Sequence, residues 1–449
     1  MADRSCELIT RALLASVDTS RTIWVHIDAA LHASHQEQPP QHFIDEILDA
    51  SVRNPCALAA PRDPRHLRKV VLWLAEQWRT RGWKVPKEFQ LESLPAAENT
   101  PDLFYKTYVG WGGGAGAPGM TLLESGGGIT HHTTGLTTWC GAAVLAEWVA
   151  NNPMVVAGRR VLELGAGVGF SAAAMLTSPT QEQPPPAAYI ATDCHHHVLT
   201  LLHHNLTLNL AEPPLKRSSL DAFQARVTRQ LEEERAAETE ENQNDEPQVW
   251  SPPEGSTSDP DYPTLAVVRE AGPQGHGLVG VMQVDWRSPP RLPPVDVILA
   301  ADVVYCRQLL RPLVTLLRVI LEGSEEPDDP QQNPEKDNER QTAGNGGSLE
   351  GKEHDSEEET VADGRTSREP GGDRNGEVRR GRREAFLACT RRSHETLGLF
   401  LQEVARQGLQ YSLAYQATLD ADTALFVYNE MHLPIKVYRI TLPEDPFVT

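Results

Sequence analysis

From Thr133 onward, short apolar runs alternate with amphipathic stretches. Val161-Leu162-Glu163-Leu164 reads as a strand and Val168 to Leu176 as a helix; Tyr189 to Thr192 reads as a second strand and Val198 to Leu208 as a second helix. Val281 to Val284 and Val295 to Ala300 are further strands. The latter is followed by a helix carrying Leu309, Leu310, Leu313, Leu316, Leu317 and Ile320. Ala385 to Ala388 and the helix His394 to Gln407 continue the alternation. At the end, Tyr411 to Tyr415, Ala424 to Tyr428 and Lys436 to Thr441 read as successive strands, which predicts an antiparallel edge. Repeated strand-helix units predict an α/β fold: a mainly parallel sheet, helices on both faces, and ligand sites at the strand carboxyl ends.

The chain before Thr133 is patterned differently. Residues 1–95 read as a helical module; in 64–80, Leu67, Val70, Val71, Leu74 and Trp78 recur at helical spacing. Trp24, Trp73, Trp78 and Trp83 fall here, and an aromatic core is the simpler reading than a binding cage. Residues 96–132 form a connection whose glycine-rich part, Gly110 to Gly128, predicts a loop or hairpin.

Composition changes this picture at two places. The 449 residues carry a formal charge of −21, too acidic for a protein that binds nucleic acid by neutralising phosphate. Segments 231–262 and 324–370 each hold a net −10, so the rest of the chain is close to neutral. Both read as disordered acidic inserts, since 324–370 offers almost nothing apolar to bury. The six cysteines, Cys6, Cys56, Cys140, Cys194, Cys306 and Cys389, contain no CxxC pair, which argues against a disulfide scaffold or zinc ribbon and for a reducing compartment. The first residues are unlike a secretory signal, and no run approaches the roughly 18 apolar residues of a membrane span. A soluble cytoplasmic monomer is expected, with Asn205-Leu206-Thr207 a chance glycosylation pattern.

The strongest chemical signal is Val161 to Gly169, a strand running into a glycine turn and then a helix. Gly165, Ala166 and Gly167 let a ligand lie against main-chain atoms that a Cβ would cover. Phe170 breaks the dinucleotide fingerprint, keeping GxGxG and losing GxGxxG. Asp193 ends the second strand, where a carboxylate can accept both hydroxyls of a ribose, cap the following helix, or do both. Asp285-Trp286 ends the third strand, offering an acceptor for an adenine amino group and a flat face for its ring. An adenosine with a polar or cationic tail is implied, and S-adenosylmethionine fits better than NAD. Cys194 with His195, His196, His197, His203 and His204 reads as a solvated histidine-rich helix face and not as a metal site, because successive side chains diverge by about 100°.

With these residues in view, the chain resembles the seven-stranded, Rossmann-like class I methyltransferases of methyltransferase family 16, whose members methylate protein lysines. The matching residues are Thr133 to Trp139, Leu145 to Trp148, Val161 to Gly169, Asp193-Cys194-His195, Asp285-Trp286 and Ile298 to Cys306, scattered over 130–449. The resemblance implies a methyltransferase domain over 133–449, with S-adenosyl-L-methionine as cofactor. It implies Trp139 and Glu163 near the cofactor, Gly165, Ala166 and Gly167 under its methionine part, Asp193 on the ribose, and Trp286 and Ala301 beside the adenine. Asp302 and Tyr305 match the acidic-x-x-Tyr motif lining the family's lysine channel and are the implied catalytic pair; read alone, they are equally a helix cap and a core ring. Cys140 departs from the family, which usually has an acidic residue there. Within the family, the branch acting on elongation factor 2 is the nearest in pattern, with residues 1–95 helping to recognise that protein. The competing readings are another protein substrate, or a methyltransferase-like module that binds without catalysis.

Overall fold

The structure is a computed structural model. It describes residues 2–19, 22–34, 41–51, 53, 59–60, 62–90, 102–110, 119–129, 133–177, 184–211, 215–238, 249–251, 253, 257–259, 261–271, 277–323, 382–417 and 434–444. Among the described residues the helices α1 (Ala2–Leu14), α2 (Thr22–Ser34), α3 (Gln41–Ala50) and α4 (Pro64–Thr80) come first. Helix α4 starts where its sequence says it should, with Pro64 in the first turn and the Asp63 carboxylate accepting the Arg65 N–H at 2.9 Å. Its apolar stripe buries Val70, Val71, Leu74 and Trp78. Trp78 packs edge-on against Trp83 and Phe89 at 5.3 and 5.4 Å, and Trp24 against Trp73 at 4.8 Å, so the tryptophans do form a core.

Next comes an antiparallel hairpin of β1 (Leu103–Tyr108) and β2 (Met120–Ser125). The remaining elements are α5 (Cys140–Asn151), β3 (Arg160–Leu164), α6 (Phe170–Thr177), β4 (Ala188–Asp193), α7 (His196–Leu210), α8 (Arg217–Glu238), β5 (Thr257–Asp259), β6 (Tyr262–Arg269), β7 (Leu278–Gln283), β8 (Val297–Ala301), α9 (Arg307–Glu322), β9 (Glu384–Thr390), α10 (His394–Arg406), β10 (Gln410–Gln416) and β11 (Ile435–Thr441).

Strands β3 to β11 form one sheet in the order β10-β11-β9-β8-β3-β4-β7-β6-β5. The five strands β9, β8, β3, β4 and β7 run parallel, and β11 lies antiparallel between β9 and β10. The expected seven strands are present, but β5 and β6 widen the sheet to nine by adding an antiparallel hairpin beyond β7. Alternate residues explain why helices cover both faces. Val161, Tyr189, Val297 and Leu299 pack with α5, α6 and α7, whereas Leu162, Ile190, Ile298 and Ala300 pack with α9 and α10.

The described residues bear on two organisational expectations. The core that begins at Leu8 and Trp24 continues without a break through Leu103 and Leu145 to Leu199, so the N-terminal helices share the methyltransferase-like core. Residues 1–322 and 382–449 form one compact unit. The expected insert at 231–262 is in part ordered: its first residues complete α8, where Leu231 is buried, and its end supplies β5 and the start of β6. The strand expected at 424–428, the insert at 324–370 and Cys56 lie outside the described residues.

Candidate active site

The candidate site is the crevice that a doubly wound sheet leaves outside the carboxyl ends of its strands, here β3, β4, β7 and β8. The chain leaving β3 turns through Gly165, Gly167 and Gly169, all at positive φ (65°, 56° and 88°). A Cβ on Gly165 would stand 2.8 Å from Val303 Cγ1 and 3.3 Å from the Trp286 ring; on Gly167 it would stand 3.2 Å from the Gly135 carbonyl. Glycine is therefore required at these points by conformation and by space. Ala166 is pinned through its N–H to the Thr192 carbonyl at 2.8 Å.

Asp193 closes the next turn. One oxygen accepts the N–H groups of Cys194 and His195 at 2.8 and 3.2 Å, and the other accepts the Gly167 N–H at 3.2 Å. The α7 cap position itself falls to His195. Burial pushes the Asp193 carboxyl up from its ordinary value, and the three N–H donors work against that. The Cys194 thiol beside it is pushed to about 12, first by burial and then by Asp193 and Asp285.

Two of the expected ligand groups are occupied elsewhere. Both oxygens of Asp285 are taken by the Arg287 guanidinium, with Nε at 3.1 Å and Nη2 at 2.8 Å, and this holds the carboxyl below its usual range. Asp285 therefore has its acceptors turned to Arg287, and the ring of Trp286 packs against the Gly165 turn. Glu163 is fully buried and accepts the Tyr189 hydroxyl at 2.8 Å. Burial raises its carboxyl to about 7. Its side chain supports the strand beneath the turn.

Across the crevice, the Thr133 to Trp139 segment lies against the glycine turn. The Trp139 indole N–H donates to the Thr134 carbonyl at 2.8 Å, and the Thr134 hydroxyl donates to Tyr305 Oη at 3.3 Å, so one residue ties both rings. Tyr305 is half exposed, and partial burial raises its hydroxyl pKa. Ala301 ends β8 half-buried.

Asp302 follows at φ 54°, a left-handed conformation that aspartate tolerates better than most residues. That backbone turns its carboxylate inward, leaving the side chain 4% exposed. It accepts the Gly141 N–H at 2.9 Å in the first turn of α5, and the N–H and hydroxyl of Thr390 at 2.8 and 2.9 Å. Arg392 Nη1 lies 3.6 Å away. The helix-cap reading of Asp302 is thus realised, with the helix supplied by a distant segment. Cys140, in the usually acidic position, is buried with its sulfur 3.2 Å from Thr390 Oγ1.

Arg392 is the residue that sequence reasoning missed. Its guanidinium lies over the Trp139 ring, 4.6 Å from the centroid, beside Asp302 and Cys140. Its place just past the end of a parallel strand was the available signal. The histidine run also differs from expectation. His197 and His204 are buried, and His204 stacks on Phe223 at 3.5 Å with Nε2 2.9 Å from Tyr105 Oη, its pKa lowered to about 3 by burial. Among the described residues no cluster of His, Cys, Asp or Glu is arranged to hold a metal.

No protein-family model matches the chain. The protein-lysine N-methyltransferase EEF2KMT of Bos taurus is 30% identical over 282 residues, covering 61% of this chain and 66% of that protein. The Homo sapiens protein of the same name is 28% identical over 316 residues, covering 69% and 75%. The chain is a relative of these EEF2KMT protein methyltransferases. Its sheet order has the seven strands of a class I methyltransferase embedded in it, with the glycine turn on the central strand. Among solved structures, a precorrin-6y C5,15-methyltransferase from Geobacter metallireducens GS-15 aligns with 9% identity and a TM-score of 0.27 over 67% of this chain and 86% of that one. The EEF2KMT relationship therefore rests on sequence, and the fold on the strand order. Among the described residues no helix is long and apolar enough to cross a membrane.

Proposed function

We propose that this EEF2KMT relative transfers methyl groups from S-adenosylmethionine to a lysine of elongation factor 2 in the cytoplasm. The observation that carries the reading is the convergence of the Gly165–Gly167 turn, Asp193 and Trp286 on one side of a crevice with Trp139 and Tyr305 on the other. Its glycines hold the turn at positive φ against Val303, Trp286 and the Gly135 carbonyl, a tight strand-to-helix turn of the kind that presents main-chain atoms to a ligand. In this reading Gly165, Ala166 and Gly167 lie under the methionine part, Asp193 holds the ribose with its remaining acceptor capacity, and Trp286 and Ala301 flank the adenine. Trp139 and Tyr305 wall the lysine channel. The cofactor, when bound, supplies an electrophilic methyl group on a sulfonium.

The chain's own task is to bring in a neutral lysine amine in line with that group. A free lysine, with a pKa of roughly 10.4, gives up about 4 kcal/mol to be neutral at neutral pH. Desolvation between Trp139 and Tyr305, together with the like charge of Arg392 over Trp139, works against the ammonium form and offsets part of that cost. The inward bonds of Asp302 fit a positioning role: it holds the start of α5 and the Thr390–Arg392 turn around the channel.

The test is incubation of the protein with labelled S-adenosylmethionine and elongation factor 2, followed by mass spectrometry of the product. Label on a lysine supports the proposal. Label on arginine or histidine rejects the lysine assignment, and cofactor binding without transfer supports a binding module instead.

A further inference from the structure

Glu124 lies on β2, outside the crevice, and its carboxylate is completely buried. It collects donors from two separate segments. From β1 come Lys106 Nζ at 3.1 Å and the Tyr108 hydroxyl at 2.8 Å. From the chain entering α5 come the Thr138 N–H at 2.8 Å, the Thr138 hydroxyl at 2.9 Å and the Thr137 hydroxyl at 3.5 Å. The neighbouring Ser125 N–H adds a bond to the Leu136 carbonyl at 2.7 Å. The next residue after Thr138 is Trp139.

A buried carboxylate is costly unless its lone pairs are met, and an ion pair with Lys106 alone would meet only part of that demand. Here the remaining acceptor sites are filled by the Tyr108 hydroxyl and by the segment that carries Trp139. The hairpin in turn has a fixed seat. Asn205 on α7 accepts the Leu123 N–H at 2.8 Å and donates to the Leu123 and Val168 carbonyls at 3.2 and 2.9 Å, so β2 is fastened next to the glycine turn. One rigid chain of bonds therefore runs from the glycine turn through Asn205 and β2 to Glu124, and from there to Thr138.

We infer that Glu124 is a positioning residue for the cofactor crevice: it clamps Thr137-Thr138 and so fixes the Trp139 indole opposite the glycine turn, while Lys106 neutralises its charge. The inference rests on the cofactor reading given above. It assigns to the hairpin, and to a buried ion pair remote from the reacting atoms, control over the crevice wall.

Removing either partner alone strands a buried charge, so the test uses paired substitutions in the full chain. Lys106→Met with Glu124→Gln removes both charges and keeps an amide oxygen for the Thr138 N–H. Lys106→Met with Glu124→Met removes the charges and the acceptor. The expected result is that the Gln pair binds S-adenosylhomocysteine about tenfold more tightly than the Met pair, the worth of roughly one hydrogen bond to a buried N–H. Hydrogen exchange at residues 137–139, measured without ligand, is expected to be about tenfold slower in the Gln pair by the same argument. Equal affinity and equal exchange in the two pairs would overturn the inference and leave Glu124 as a plain core ion pair. Failure of the wild-type chain to bind S-adenosylhomocysteine would reject the cofactor reading instead, and the exchange comparison would still decide for or against the Glu124 clamp.

Discussion

The carboxylate of Asp302, at the end of β8, accepts the backbone N–H of Gly141, in the first turn of α5, at 2.9 Å. A Cβ on Gly141 would stand 2.7 Å from Asp302 Cγ, so this contact exists only because position 141 is glycine. Gly141→Ala is expected to push the carboxylate off Thr390 and Arg392, lower transfer at least tenfold, and lower stability by about 1–3 kcal/mol, the range for overpacking. Asp302→Asn keeps the shape and one acceptor oxygen, whereas Asp302→Ala leaves the Gly141 and Thr390 donors unmet at a cost of about 1–3 kcal/mol. Denaturation curves beside single-turnover transfer rates check the order: wild type, then Asn, then Ala.

The Gly165 turn yields a prediction specific to the cofactor. Gly165→Ala must hold an L-residue at φ 65° with its methyl 2.8 Å from Val303 Cγ1 and 3.3 Å from Trp286. Left-handed strain lowers stability by about 1–2 kcal/mol, and the methyl must move Val303 or Trp286 off the turn, so S-adenosylhomocysteine binding is expected to weaken more than tenfold. Because Asp285 is spent on Arg287 while Trp286 packs over the turn, Trp286→Ala is expected to weaken binding by a similar factor and Asp285→Asn by less than about threefold. Calorimetric titration of the three variants decides it; a larger loss in Asp285→Asn would restore the adenine-acceptor reading of that carboxylate.

The parallel strands and α4 were legible in the sequence because each carries one period over enough residues to be counted. Val161 to Leu164 and Ile298 to Ala301 also announce themselves as buried central strands. The glycine-rich stretch 110–128 was legible as a loop or hairpin, but the strands of β1–β2 and the edge pair β5–β6 were not. Leu103–Tyr108 mixes lysine, threonine and tyrosine on a strand that is buried throughout, and its polar groups are met by partners far along the chain such as Glu124 and His204. Asp302 had the right position and a different partner set: nothing in Ala301-Asp302-Val303 says that the helix it caps begins 162 residues earlier. Cluster charge misled at 231–238, where the exposed Glu232 and Glu233 belong to a helix anchored by Leu220, Val227 and Leu231.

Asn205 offers a test of how the hairpin is seated. Its amide pairs with both main-chain groups of Leu123 and also with the Val168 carbonyl, and its side chain is buried. Asn205→Leu removes every one of these partners. A loss of about 2–4 kcal/mol is expected from unmet main-chain groups, and Asn205→Asp is expected to be no milder, because it keeps the acceptor for the Leu123 N–H but turns a buried carboxylate oxygen toward the Leu123 and Val168 carbonyls. The same burial means that the Asn-Leu-Thr pattern is inaccessible to a glycosylating enzyme once the chain has folded. Chemical denaturation of the two variants provides the check; a surface-like loss below about 0.5 kcal/mol for Asn205→Leu would contradict the seat.

Glu163 sets a pH dependence of stability. Burial raises its carboxyl from an ordinary 4.5 to about 7, with the Tyr189 hydroxyl and other hydrogen bonding pulling the other way. The folded chain therefore holds this proton more tightly than the unfolded chain does. Below about pH 4.5 both states are protonated and Glu163 costs nothing; between 4.5 and 7 the unfolded chain releases the proton first, so stability falls as pH rises and reaches its lower plateau above about 7. The size of that fall is on the order of 3 kcal/mol. Glu163→Gln keeps an acceptor for the Tyr189 hydroxyl and has nothing to ionise. The variant is expected to match wild type near pH 5 in denaturant titrations and to exceed it by up to about 3 kcal/mol at pH 8. A gap that is constant across this range, or that opens toward low pH, would show that the carboxyl is ionised and stabilised in the folded chain, contrary to its burial between β3 and β4.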